Sequence, residues 1–140
     1  MRRVHAGVLR VVVAHARDAV PAECCGLLLG MDDTIVEAIP ARNIADRPTR
    51  FEIDPKDHLD ARRTARSRGL DVVGFYHSHP HSAASPSETD LAEAYYPDLV
   101  HLIVSLVTDP PETRLFRPVD LTGQAGARNF VEEPFVTVRE

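Results

Sequence analysis

Leu99 to Val107, written LVHLIVSLV, constrains the fold more than any other segment of the chain. It is too short and too evenly apolar for a surface helix, and it reads as the strongest strand of a buried sheet. Asp109-Pro110-Pro111 closes it with a loop. Two further apolar runs have the same character. Cys24-Cys25-Gly26-Leu27-Leu28-Leu29-Gly30 is bounded by glycine, and Leu70 to Tyr76 follows the helix stop at Gly69. Ile35 to Pro40 alternates in part and lies across the polar turn Met31 to Thr34, so it pairs with the first run. Phe51 to Ile53, Thr113 to Arg117 and Phe135 to Val138 supply the remaining strand material, with loops at Ala41 to Arg50 and Gly123 to Gly126.

Helical periodicity appears in two longer places. In Val8 to Ala19 the residues Leu9, Val12, Val13 and Ala16 recur at three- and four-residue spacing and continue to Val20, before Pro21 ends the segment. Asp54-Pro55 opens a second helix with a cap residue and a proline at the first helical position, and that helix runs to about Ser67. Ser87 to Ala94 reads as a short third helix between the strands at Leu70 and Leu99. The expectation is a single α/β (α+β) domain over residues 1–140, a central mixed sheet packed by two main helices. Neither GxGxxG nor GxxxxGK[ST] occurs, and Gly26 to Gly30 has the wrong spacing for a phosphate loop.

Composition narrows the function classes. A hydrophobic content of 44% argues against wholesale disorder. No run approaches the roughly 18 apolar residues of a membrane span, and none resembles a secretory signal, so a cytoplasmic location is expected. The 21 acidic residues outnumber 16 basic ones for a formal charge of -5, which disfavours nucleic acid as a partner. Arg62, Arg63, Arg66 and Arg68 fall in the second helix and read as a solvated face, with a docking surface for an acidic partner as the alternative. Cys24 and Cys25 are adjacent, which is poor geometry for a disulfide and lacks the Cys-x-x-Cys spacing of a zinc site.

Gly74-Phe75-Tyr76-His77-Ser78-His79-Pro80 then raises a chemical question. On a strand, His77 and His79 share a face while Ser78 points away, so both imidazoles can converge on one ion. The strand leads into them and Pro80 stops further pairing, which places the pair at the rim of the sheet. Asp90 can supply a third ligand from the first turn of the short helix, leaving a fourth position for water. The same Ser87-Glu88-Thr89-Asp90 stretch also reads as an ordinary helix start, with serine as cap and an acid in the first turn. Glu23, at the threshold of the apolar Cys24 run, is a candidate general base or a plain solvent-facing residue at a loop-to-strand junction. The four histidines His5, His15, His58 and His101 lie away from these blocks; His81 is nearer and could touch substrate.

Together these blocks resemble the JAMM (MPN-plus) zinc metalloprotease family, whose pattern is a glutamate upstream, then His-x-His-Pro, then Ser-x-x-Asp. Here they are Glu23, His77-Ser78-His79-Pro80 and Ser87-Glu88-Thr89-Asp90, with six residues between Pro80 and Ser87. Pro21 to Gly30 is similar to the family's segment around its glutamate, and the resemblance extends from the first helix to about Arg117. It implies the JAMM/MPN sheet with a short active-site helix, an architecture related to that of cytidine deaminases. It further implies one zinc ion held by His77, His79 and Asp90, Glu23 as acid-base catalyst, and Ser87 as hydroxyl donor to the oxyanion.

The implied reaction is hydrolysis of a peptide or isopeptide bond, commonly at the C-terminal tail of a ubiquitin-like protein. Short connections at Arg42 to Arg50 and His81 to Pro86 leave no room for large insertions, which resembles small prokaryotic members. Val131 to Val136 is similar to a stretch of the bacterial enzymes that trim sulfur-carrier proteins. An extended tail is expected beside the His77 to Pro80 strand, pairing with an exposed strand edge. A binding or scaffold module with a structural zinc site is the alternative, distinguished by a closed four-ligand shell.

Overall fold

The computed structural model describes residues 1–45, 47–87, 96, 98–119 and 129–139. In chain order the elements are β1 (Arg2–His5), α1 (Ala6–Ala19), β2 (Cys25–Met31), β3 (Thr34–Ala41), α2 (Pro55–Ser67), β4 (Asp71–His79), β5 (Val100–Ser105), β6 (Glu112–Val119), β7 (Asn129–Glu132) and β8 (Phe135–Val138). They form a mixed sheet in the order β7-β6-β5-β4-β2-β3-β1-β8. β4 runs parallel to β5, and β1 parallel to β3 and β8; the other pairs are antiparallel. The LVHLIVSLV segment supplies β5, buried along its whole length between β4 and β6.

Each helix covers one side of the sheet, as the apolar spacing requires. α1 turns Val8, Val12 and Ala16 onto Leu28, Ile35, Tyr76 and Leu102. Burying a leucine or valine of this kind contributes about 1.5–3 kcal/mol relative to leaving it exposed. α2 buries only alanines, Ala61 and Ala65, against Leu27, Leu29, Val72 and Phe75. Its start matches the sequence: Asp54 accepts from the Lys56 N–H at 2.9 Å and Pro55 follows. Its stop is Gly69, whose φ of 71° suits a residue without Cβ.

One irregularity fixes the face on which the functional residues lie. Leu28 pairs with Gly74 but Leu29 pairs with Val72, so Val73 is an extra residue in β4. Val72 faces α2, Val73 packs on the α1 side, and after the extra residue the odd-numbered Phe75 faces α2. His77 and His79 follow the parity of Phe75. Without the bulge, the parity of Val72 would carry both histidines to the α1 face.

The structure departs from the sequence expectations at short elements. β1 and β7 are not foreseen, because Arg2–His5 and Asn129–Glu132 contain few apolar residues. α1 begins at Ala6, directly after β1, two residues ahead of the expected start. Phe51 to Ile53 forms only an isolated bridge, Ile53 to Asn43. Most of the expected helix at Ser87 to Ala94 lies outside the described residues. Among the described residues no helix is long and apolar enough to cross a membrane.

Gly74 brings β4 close to β5. A Cβ there would meet the backbone oxygen of Val100 at 2.5 Å and its side chain at 2.7 Å. Gly74→Ala is therefore expected to lower stability by about 1–3 kcal/mol, the usual cost of overpacking a core. A urea melt reads this as a lower midpoint at unchanged slope; an unchanged midpoint would mean that the two strands separate freely.

Candidate active site

β4 carries His77 and His79 in its last turn of pleat, and both are buried, at 1% and 5% exposure. Sequence reasoning places them on a strand at the rim of the sheet, and they close β4 there: His77 pairs with Cys25 on β2 and Ile103 on β5, and His79 with Ser105 on β5. These pairings hold the backbone, so the imidazoles project from a rigid base. Their Nε2 atoms are 3.1 Å apart. Glu23, just before β2, is buried as well, and one ligand atom from each of Glu23, His77 and His79 lies within 4.8 Å of the others. The solvent-facing reading of Glu23 is thereby excluded.

Neighbouring groups set the state of the two rings. The Ala83 carbonyl can only accept, so at the 2.8 Å contact His79 Nδ1 is the donor, and in the neutral ring Nε2 then carries the lone pair. The Phe51 ring stacks on His77, with centroids 4.3 Å apart and planes inclined by 16°. Two nitrogens on one tetrahedral zinc, each roughly 2.0–2.1 Å away, stand about 3.3 Å apart. The observed spacing and the exposed lone pair of His79 fit such an ion.

The chain after β4 is fastened where Ala83 must sit. Ser105 Oγ donates to the Ser82 carbonyl at 2.6 Å, and Ala84 is buried against Ile103 and Phe116. Arg114, paired with Glu132 at 2.6 Å, donates to Ser85 Oγ at 3.3 Å. This loop forms one wall of a groove of about 590 Å³, and Pro48 and Thr49 contribute to the other. Glu23, His79, His81 and Ser87 also line it, with Ser87 exposed to the groove. Asp90 lies outside the described residues.

β4 lies inside the sheet, between β2 and β5. Ser78 N–H donates to the Cys24 carbonyl at 3.1 Å, and Leu106 N–H donates to the His79 carbonyl at 3.2 Å. Up to Ser78 both sides of β4 are therefore taken by neighbouring chain, and beside His79 and Pro80 the groove is walled by loops.

His15, His58 and His101 lie outside the Glu23, His77 and His79 group. His15 Nδ1 is 2.7 Å from the Tyr76 hydroxyl, and burial lowers the His15 pKa despite Asp18 nearby. His58 and His101 line a separate cavity of about 220 Å³ with Phe51, Phe75 and Tyr96. Burial pushes the Cys24 thiol up to about 11 and the Cys25 thiol to about 12, the behaviour of inert core residues. Of the arginine cluster, Arg63 lies 4.0 Å from Asp60, Arg68 pairs with Glu37, and Arg62 donates to His58 Nε2 at 2.9 Å. Sequence reasoning missed three residues that hold the site together: Asn43, Ser78 and Ser105. The signal at Ser78 was its place between two histidines; Asn43 looked like any loop asparagine.

The chain is similar to known proteins. The chain is 42% identical over 101 residues to a desampylase of Haloferax volcanii, covering 67% of this chain and 73% of that one. It is 34% identical over 134 residues to the CysO-cysteine peptidase of Mycobacterium bovis, covering 93% and 91%. A crystal structure of a JAB1/MPN domain protein from Archaeoglobus fulgidus has the same fold, with a TM-score of 0.65, 23% identity and coverage of 99% and 100%. The family model for prokaryotic homologs of the JAB domain matches residues 5–119, and the chain belongs to that family.

Proposed function

We propose that this chain is a zinc-dependent peptidase acting on a peptide or isopeptide bond at the C-terminal tail of a ubiquitin-like or sulfur-carrier protein. The observation that carries the reading is the convergence of Glu23, His77 and His79 within 4.8 Å on a groove of about 590 Å³. The names of the Haloferax and mycobacterial relatives, desampylase and CysO-cysteine peptidase, support both the reaction class and the substrate class. An open groove beside the donors favours catalysis over a closed structural site.

The roles follow from chemistry. Zinc held by His77, His79 and Asp90 would supply a Lewis acid and make a water acidic enough to react near neutral pH. Glu23 takes the proton of the attacking water and returns it to the departing nitrogen. Ser87 donates its hydroxyl to the scissile carbonyl oxygen as negative charge develops there. The Ala83 carbonyl holds His79 in the tautomer that presents Nε2, the usual task of a group behind a metal ligand. An extended tail with small residues, such as a Gly-Gly terminus, fits between the loop walls, and the body of the carrier adds affinity.

Zinc-loaded enzyme is to be incubated with sulfur-carrier proteins bearing C-terminal cysteine, peptide or lysine-linked extensions, and the products weighed by mass spectrometry. The expected outcome is release of the extension, abolished by a chelator and restored by zinc. His77→Ala should lose the metal. Glu23→Ala should keep it and lose at least about 10²-fold in rate, the typical worth of a positioned proton carrier. A folded, zinc-loaded Glu23→Ala enzyme cleaving at the wild-type rate would remove Glu23 from the reaction. Arbitrary unfolded peptides cleaved as fast as carrier fusions would defeat tail specificity.

Ser105 gives a second test. Without its hydroxyl, the Ser82 carbonyl loses its partner and Ala83 is less firmly held against His79. Ser105→Ala should weaken zinc binding by about 10–100-fold, as for other supports of a metal ligand. Competition with a chromophoric chelator measures it, and wild-type affinity would show that the loop keeps its place by packing alone.

A further inference from the structure

The peptide unit joining Glu23 to Cys24 is gripped by a side chain at each polar end. Its carbonyl oxygen, that of Glu23, accepts from Asn43 Nδ2 at 2.9 Å. Its N–H, that of Cys24, donates to Ser78 Oγ at 2.8 Å. Ser78 is fully buried and sits between His77 and His79, so the residue that spaces the two imidazoles also holds the backbone of Glu23. Asn43 makes two donor and two acceptor contacts. Its amide also donates to the Arg50 carbonyl at 3.0 Å, and its Oδ1 accepts from the N–H groups of Ala45 and Glu52, both at 2.9 Å.

We infer that Asn43 and Ser78 are positioning residues for Glu23, acting together on that one peptide plane. The inference rests on the reading of Glu23 as proton carrier. Glu23 lies ahead of β2, so the strand ladder does not fix its carbonyl. Rotation of the Glu23–Cys24 plane would swing the carboxylate relative to the imidazoles, and the two side-chain hydrogen bonds oppose it from opposite ends. Displacement of a reacting group by about 1 Å can cost on the order of 10²-fold in rate. Asn43 adds a second link: it ties the same plane to the 43–52 segment, which carries Thr49 of the groove wall and Phe51 stacked on His77.

Asn43→Asp separates the two halves of this role. Its carboxylate can still accept from Ala45 and Glu52 but cannot donate to the carbonyls of Glu23 and Arg50. In the zinc-loaded full chain, Asn43→Asp is expected to keep wild-type zinc content and to lower kcat on a carrier fusion by about 10- to 100-fold. Amide hydrogen exchange should stay slow at Ala45 and Glu52 and become faster at Cys24. Asn43→Ala should speed exchange at all three. In a Glu23→Gln background, measured over long incubations, Asn43→Asp should change the rate less than about twofold, since no carboxylate remains to be placed. Ser78→Ala, which frees the other end of the plane, serves the same cycle if Asn43→Asp does not fold.

Outcomes separate the two claims. Glu23→Gln cleaving as fast as wild type would overturn the proton-carrier reading. A slow Glu23→Gln together with an Asn43→Asp loss that multiplies fully onto it, or with wild-type kcat in Asn43→Asp alone, would overturn the positioning inference. Unchanged exchange at Cys24 in Asn43→Asp would overturn it without reference to any substrate.

Discussion

The extra residue Val73 in β4 decides where the chemistry of this protein can occur. Strand side chains alternate strictly, so one inserted residue transfers everything beyond it to the other face. Val72 packs against α2 and Val73 turns to the α1 side, and Phe75, His77 and His79 then return to the α2 face. That face is where the 80–87 loop folds back through Ala84 onto Ile103 and Phe116. It is also where Phe51 meets the ring of His77. Had the parity run on unbroken, both imidazoles would lie on the α1 side with Val8, Val12 and Leu102, away from Glu23 and the groove.

Rigidity follows from the position of β4 inside the sheet. Pairing to β2 and β5 at His77, and to β5 at His79, lets neither histidine drift, and Gly74 lets β5 approach closely enough to make that pairing tight. Groups from both loops and strands then complete the site. Ala83 selects the tautomer of His79, Ser105 fixes the stretch that contains Ala83, and Asn43 and Ser78 hold the peptide plane after Glu23. The 82–83 stretch is tied to β4 and β5 by hydrogen bonds rather than by length of chain.

Much of this was legible in the residues alone, where a physical rule of one period applied. The apolar runs at Leu27 to Leu29 and Val100 to Val104 gave strands, and the spacing of Val8, Val12 and Ala16 gave α1. Alternation correctly put His77 and His79 on one face and Ser78 on the other. Alternation could not say which face: Gly74 inside the run marks either a bulge or a close backbone approach, and only pairing with β2 shows that Val73 is the extra residue. β1 was invisible because Arg2–His5 is held by parallel pairing to β3 and β8, a long-range event that leaves only Val4 as an apolar mark. The burial of Glu23 was likewise a property of tertiary contacts: nothing in Pro21-Ala22-Glu23 distinguishes a carboxylate aimed at two imidazoles from one aimed at water.

The place of β4 inside the sheet also shapes how a substrate can be recognised. Up to Ser78 both of its sides are taken, so ladder bonds along that stretch cannot supply a tail's affinity. Contact must come from the loop walls, Thr49 on one side and His81 to Ser87 on the other. Loops of this size offer little area, and a short extended peptide ordered between them would lose conformational entropy for few contacts. Under the proposed reading, affinity then falls to the folded body of the carrier protein, with the tail delivered at high effective concentration. Such a division favours tails attached to a domain over free peptides of the same sequence, and it lets the groove remain narrow and rigid around the reacting bond.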